Sequence, residues 1–374
     1  MKTKKKKTYP LLWLFFGFLL VMTVADLCVP FRSFSDMENR YLAGAPKFSL
    51  AALFDGSYTR KYETYVSDQF VGRDSWITAK SHSESALLKT ENNGIVYGKD
   101  GRLFEKYTSY DEGQLERNLD FIAQFANKQG NVTFSVVPSG YVLMPDALPY
   151  GLTLADQETA LLNIEKSFSE NIFNGAVRWI DTVGLLRASG EDDLYYRTDH
   201  HWRVRGAYLF YKEFCTEKGL VPTPAESLPL REVEGFYGTY FSKCKRAGTP
   251  PDTLTFYDIP VDSVTVDGVE KGGWYDETLF EKRDKYGALL YGNGGLTVLK
   301  NGDGPRKLLL IKDSYSNALA PLFLENYDAV YVVDLRSFPK GLEELCRSEN
   351  FTDTLILYSF QNLAMDTNLY RITL

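Results

Sequence analysis

Only three histidines occur in the 374 residues of this chain, and two of them are adjacent, in Arg197-Thr198-Asp199-His200-His201-Trp202. Imidazole exchanges a proton near neutral pH, and a nearby carboxylate can fix which ring nitrogen carries it. The Asp-x-His spacing on a loop lets Asp199 and His201 turn towards one point without long-range assembly. A base and its orienting group are thus present, and the missing member is a nucleophile. Ser314, in Leu310-Ile311-Lys312-Asp313-Ser314-Tyr315, follows a strongly apolar predicted strand and precedes a predicted helix that contains Ala318, Leu319, Leu322 and Phe323. A hydroxyl at such a junction projects from the carboxyl edge of a sheet, where the first N–H groups of a helix face a developing anion. The three residues together read as an acyl-transfer triad: Ser314 the nucleophile, His201 the general base and Asp199 the orienting carboxylate. The plainer readings are a serine that caps a helix and two structural histidines.

Metal chemistry at Asp199, His200 and His201 would require a further ligand, and His82 falls in a separate helical stretch, so no metal is expected. His200, facing away from its neighbour, is expected to pack beside the site. Nothing in the sequence calls for a cofactor. The four cysteines, Cys28, Cys215, Cys244 and Cys346, are too few and too scattered for a disulfide framework or a zinc site. A formal net charge of −7, with no basic stripe beyond the N-terminus, argues against a nucleic-acid partner.

The elements that must hold these residues alternate. Residues 114–128 and 155–171 read as amphipathic helices, 131–137 and 177–180 as strands, and 204–219 as the helix that follows the Asp-His-His-Trp loop. Further strands are expected at 306–311, 329–333 and 354–358, with a helix at 342–346. This alternation predicts an α/β fold with a mainly parallel sheet covered by helices on both faces, where ligands bind beyond the carboxyl ends of strands. Before it, residues 95–98 and 102–104 bracket Lys99-Asp100-Gly101 as a hairpin. Residues 221–300 break the pattern and read as a β-rich insertion. Its aromatics Phe236, Tyr237, Tyr240, Phe241, Tyr257 and Trp274 could stack on sugar rings, or could be ordinary core.

At the N-terminus, five lysines among residues 2–7 precede an uncharged run over 11–25. The positive flank keeps that end cytoplasmic and directs export of the remaining chain. An uncleaved membrane anchor over residues 1–30 is favoured over a signal peptide cut near Thr23-Val24-Ala25, which would leave the protein secreted. Either way residues 31–374 form an extracytoplasmic domain.

Arg197-Thr198-Asp199-His200-His201-Trp202 resembles the signature of the DHHW family. The chain is similar to that family also in Glu38-Asn39-Arg40, Asn93-Gly94-Ile95-Val96-Tyr97-Gly98 and Leu310-Ile311-Lys312-Asp313-Ser314-Tyr315. The family is similar in turn to alginate O-acetylation proteins of the AlgX and AlgJ type, with an SGNH-hydrolase-like fold. In those proteins an Asp-x-His motif precedes the catalytic serine, the order of Asp199, His201 and Ser314. The resemblance implies acyl transfer, usually of acetyl, to or from an exported polysaccharide, with a membrane-bound O-acyltransferase supplying the acyl group. Lys312 departs from the SGNH pattern, which has a glycine before Asp-Ser. Asn293, Trp202 and Arg197 are candidates for oxyanion or substrate contacts. The function expected is therefore an extracytoplasmic O-acyltransferase or esterase. The alternative from a different class is a non-catalytic polysaccharide-binding or assembly protein.

Overall fold

The computed structural model describes residues 9–35, 37–38, 40–169 and 177–374, and the chain divides into two units, Met1–Leu88 and Lys89–Leu374. The lysine-rich tail expected to flank the anchor lies outside the described residues, as does the end of the helix expected over 155–171.

The first unit opens with α1 (Pro10–Cys28), 19 residues with no buried side chain and a mean hydropathy of 2.2 over its most apolar 18 residues. It runs past the uncharged stretch of 11–25 because the one charge near its end has a partner: Asp26 Oδ1 accepts from the Val71 N–H at 2.9 Å. Then come α2 (Leu50–Phe54), α3 (Ser57–Gln69) and α4 (Arg73–Ala86). The motif around Glu38 and Arg40 finds a structural role here, although Asn39 lies outside the described residues. Arg40 grips Asp68 with both nitrogens, at 2.9 and 2.5 Å, and Arg73 reaches both Glu38 and, at 3.6 Å, Asp68. The hydrogen bond from Arg40 holds the Asp68 carboxyl below its ordinary range, against the effect of desolvation. These bonds join residues 38 and 40 to α3 and to the start of α4 within the unit Met1–Leu88.

In the second unit the described residues form a mixed sheet of eight strands. Val177–Trp179, Val132–Val137, Asp353–Ser359, Lys307–Lys312 and Ala329–Val333 lie side by side in that order, all parallel. Leu308, Leu310, Leu355 and Leu357 point into one apolar core with the helix Val204–Glu217; Leu309, Ile311, Ile356 and Tyr358 point into another with the helices Glu112–Gln129 and Gln157–Ser169. Alternate residues of one strand therefore feed opposite cores. That is why these strands read as continuous apolar runs rather than as alternating ones.

The expected β-rich insertion is corrected in part. Leu230–Phe236 and Asp252–Tyr257 do form a separate antiparallel pair. Leu296–Lys300, Ser263–Val266 and Val269–Lys271, however, extend the main sheet as antiparallel strands beside Ala329–Val333. The alternating burial of Leu296–Lys300 and Ser263–Val266, with Val264 and Leu299 inward, suits an outer part of a sheet covered on one side. The predicted hairpin is present as Ile95–Tyr97 and Leu103–Glu105, with Glu91–Asn92 as a third strand.

The helix expected after Ser314 is also corrected. Ser314–Ser316 and Ala320–Glu325 are both 3₁₀ turns. Apolar residues 318, 319, 322 and 323 keep helical spacing, but Pro321 has no N–H to donate to residue 317 and its ring would crowd that carbonyl.

Candidate active site

Ser314 stands directly beyond Lys307–Lys312, which is flanked on both sides by parallel strands, so it occupies the carboxyl edge of the sheet. Asp313 sets the turn. Its Oδ1 accepts from the Tyr315 N–H at 3.0 Å, while Oδ2 accepts from the Ser359 N–H, the Ser359 hydroxyl and Asn362 Nδ2 at 2.7–2.8 Å. The capping role open to Ser314 thus belongs to Asp313, which leaves the serine hydroxyl available. As first residue of the turn, Ser314 has no carbonyl within it to receive its N–H.

The Asp-His-His-Trp loop is a closed hairpin. Tyr195 bridges Trp202, and Arg203 N–H donates to the Leu194 carbonyl at 2.7 Å. Asp252, from the antiparallel pair, accepts from the N–H groups of Arg197 and Thr198 at 3.1 and 2.8 Å and from the Thr198 hydroxyl at 2.6 Å. Tyr195 donates its hydroxyl to the Pro138 carbonyl at 2.7 Å, beyond the end of Val132–Val137. The loop is therefore pinned to the same edge of the sheet that carries Ser314. Trp202 is fully buried and cannot line a substrate site; its indole N–H donates to the Tyr315 carbonyl at 2.8 Å, fastening the loop to the serine turn. Arg197 contributes main-chain contacts, its carbonyl accepting from the Leu103 N–H at 2.9 Å.

Between the two pinned loops stands the imidazole of His201. Its Nδ1 lies 2.5 Å from Asp199 Oδ1 and its Nε2 lies 2.8 Å from Ser314 Oγ, a residue 113 positions away. An ionised carboxylate only accepts, so Nδ1 carries the proton and Nε2 is left to accept from the serine hydroxyl. Desolvation of Asp199 favours its neutral acid, yet the charges of His200 and His201 and the hydrogen bonds from His201 and from the Thr239 N–H (2.6 Å) hold its carboxyl far below the ordinary range. His200 lies with its ring 3.8 Å from that of His201, and desolvation together with the His201 charge pushes it down to about 4.

Asp199, His200 and His201 place three ligand-type atoms within 4.8 Å of one another. In this donor set Asp199 Oδ1 and Oδ2 already accept from His201 and Thr239, and His201 Nε2 faces Ser314. A cation would have to displace those bonds.

Four further residues shape the site, and only Lys312 among them was singled out in the sequence, as a departure from the expected glycine. Tyr286 stacks on His201 with ring centroids 3.8 Å apart at 12°, and donates its hydroxyl to the Ser314 carbonyl at 3.0 Å. Tyr315 donates its hydroxyl to the His200 carbonyl. Gly238 leaves room for Asp199, since a Cβ there would fall 2.2 Å from the Asp199 Cβ. Lys312 fills the position where a glycine was expected. It is 2% exposed and donates to Asn317 Oδ1 at 2.7 Å and to Asn293 Oδ1 at 3.2 Å, with Asp334 at 3.6 Å. An ammonium can only donate, so the Asn293 oxygen is turned towards Lys312 and its NH₂ the other way. The aromatics of the insertion are mostly core: Phe236, Tyr240, Tyr257 and Trp274 are buried, so they cannot stack on a glycan.

A family model described as DHHW protein matches residues 117–333. A DHHW family protein from Eubacterium siraeum is similar in structure, with 24% identity over 76% of this chain and 96% of its own, and a TM-score of 0.61. PatB1 of Bacillus cereus has 19% identity, covers 74% of this chain and 99% of its own, and also has a TM-score of 0.61. At such identities the likeness speaks for the fold, a mixed α/β arrangement around a large, mostly parallel sheet. No curated protein sequence matches the chain. The family match spans more than half of the 374 residues and includes the Asp-His-His-Trp loop and Ser314, so this chain belongs to the DHHW family.

Proposed function

We propose that the protein is a serine-dependent O-acyltransferase or esterase, with acetyl as the group carried and a cell-envelope or secreted polysaccharide as its substrate. The observation that carries this reading is the one imidazole that lies 2.5 Å from Asp199 through Nδ1 and 2.8 Å from Ser314 through Nε2. In this reading Ser314 Oγ attacks an acyl carbonyl as its proton passes to His201 Nε2. Asp199 holds the ring in place and balances the imidazolium. The oxyanion is met by the Ser314 N–H and the NH₂ of Asn293, with Arg197 as a substrate contact. His201 then returns its proton to the departing oxygen, leaving acyl-Ser314. In the second half a sugar hydroxyl, or water, gives its proton to His201 and takes the acyl group, and His201 passes that proton to the released Ser314 Oγ.

Acetyl and polysaccharide rest on the resemblance to alginate O-acetylation proteins, which also implies a membrane-bound O-acyltransferase as acyl supplier. α1 is read as an uncleaved single-pass anchor, with the rest of the chain extracytoplasmic. At about 1.5 Å per residue its 19 residues are about 28 Å long, close to the roughly 30 Å hydrocarbon core. The bond between Asp26 and Val71 supports retention, because it joins the helix to the folded part of its unit. The test is incubation with an activated acetyl ester, with and without an oligosaccharide. Acetylated oligosaccharide that depends on Ser314 is expected; a Ser314→Ala variant that keeps both hydrolysis and transfer would sink the reading.

A further inference from the structure

α1 does not end in a tether. Asp26, in its last turn, is bonded to the Val71 N–H at the turn between α3 and α4. The chain that leaves the helix is fastened to the same place. Arg32 N–H donates to Gln69 Oε1 at 3.0 Å, Gln69 Nε2 donates back to the Arg32 carbonyl at 2.9 Å, and the Arg32 guanidinium holds both oxygens of Asp74 at 2.9 and 3.0 Å. The turn is therefore fixed at the depth at which α1 ends. A carboxylate is costly in hydrocarbon, so Asp26 and its partner Val71 belong at the edge of the bilayer.

Around this point the surface is aromatic. A Cβ at Gly72 would lie 3.8 Å from the Trp76 indole nitrogen, which puts that ring over the residue next to Val71. Trp76 is 52% exposed, Phe31 60% and Phe70 37%. Exposed apolar groups beside charged ones are what the headgroup level accepts, and tryptophan is enriched there because one part of its ring is apolar and its N–H is polar. Arg32 and Asp74 supply the polar neighbours.

We propose that the turn between α3 and α4 is a membrane-interface platform: Trp76, Phe70 and Phe31 sit among the lipid headgroups where α1 leaves the bilayer. This rests on α1 crossing the membrane, as proposed above. The platform would fix the first unit against the lipid surface instead of letting it swing on the anchor.

Depth-resolved quenching of tryptophan fluorescence tests it. The full chain is reconstituted in phosphatidylcholine–phosphatidylglycerol vesicles whose acyl chains are brominated near the headgroup or near the chain end. Differences from Trp76→Phe and Trp13→Phe variants isolate the emission of each residue. Expected is quenching of Trp76 several-fold stronger by the shallow bromines than by the deep ones, with Trp13, in α1, quenched as well. A Phe70→Trp reporter in the Trp76→Phe background should repeat the shallow pattern. Quenching of Trp13 without that of Trp76 would overturn the platform and leave α1 inserted, as expected if a protein partner or water covers this face. Quenching of neither would overturn the spanning reading and the platform with it.

Discussion

The ring of Tyr286 lies parallel to the imidazole of His201, 3.8 Å away, while its hydroxyl reaches past to the carbonyl of Ser314. One residue thus braces the proposed base and the proposed nucleophile. Tyr286→Phe keeps the stack and loses one hydrogen bond, about 1 kcal/mol, so kcat on an activated acetyl ester should fall about fivefold. Tyr286→Ala loses both contacts and should cost at least about tenfold more. Steady-state kinetics on the pair of variants separates the two contributions.

Asp199 is held on both oxygens, and its position depends on the absence of a side chain at 238. Asp199→Asn conserves shape but turns an N–H towards His201 or forces the other tautomer, and kcat should drop by about 10³–10⁴ with little change in KM. Gly238→Ala forces a carbon into the space of the Asp199 Cβ, so it should destabilise the fold by about 1–3 kcal/mol, read from thermal unfolding, and lower kcat too.

Lys312 couples charge to the Asn293 loop. Burial draws its ammonium down to about 8, with Asp334 opposing and Arg336 adding to the effect; Asp313 also lies near. The folded state then releases this proton near pH 8, while the unfolded chain keeps it to about 10.4. The unfolded state binds more protons in that window, so this group makes stability rise with pH from about 8 to 10. Lys312→Met should remove that slope from the pH dependence of the melting temperature. It should also lower kcat about tenfold, since Asn293 loses its fixed orientation.

Asn293→Ala separates the two effects. With its amide turned away from Lys312, Asn293 is the proposed second oxyanion donor, and its loss should cost about 10²–10³ in kcat. The slope between pH 8 and 10 should remain. A fall in KM-dependent terms alone would place Asn293 in substrate binding instead.

What the sequence made legible was local. Asp199 and His201 are two residues apart and histidine is rare in this chain, while Ser314 is marked by the apolar strand before it. Their 2.8 Å meeting brings a loop between two helices, Thr182–Ala188 and Val204–Glu217, against the strand-end turn of Ser314. Tyr286, Gly238 and Asp252 were not legible. Tyr286 is one of 25 tyrosines, and each of the three acts through a contact dozens of residues away. The insertion was recognisable as β-rich, but alternating apolar and polar residues say only that one face is covered, and not which sheet a strand joins. Pro321 was the missed signal against a helix after Ser314. The full length of α1 depended on Val71, a partner 45 residues from Asp26.

The decisive observable is the site of covalent acetylation. The protein is mixed with an activated acetyl ester, quenched in acid during the burst, digested and examined by mass spectrometry. A Ser314 nucleophile predicts one acetyl group on the Ser314 hydroxyl, absent in Ser314→Ala and slow to form in His201→Ala. Turnover of the ester with no acetyl at Ser314, or with the label on another residue, would refute the triad.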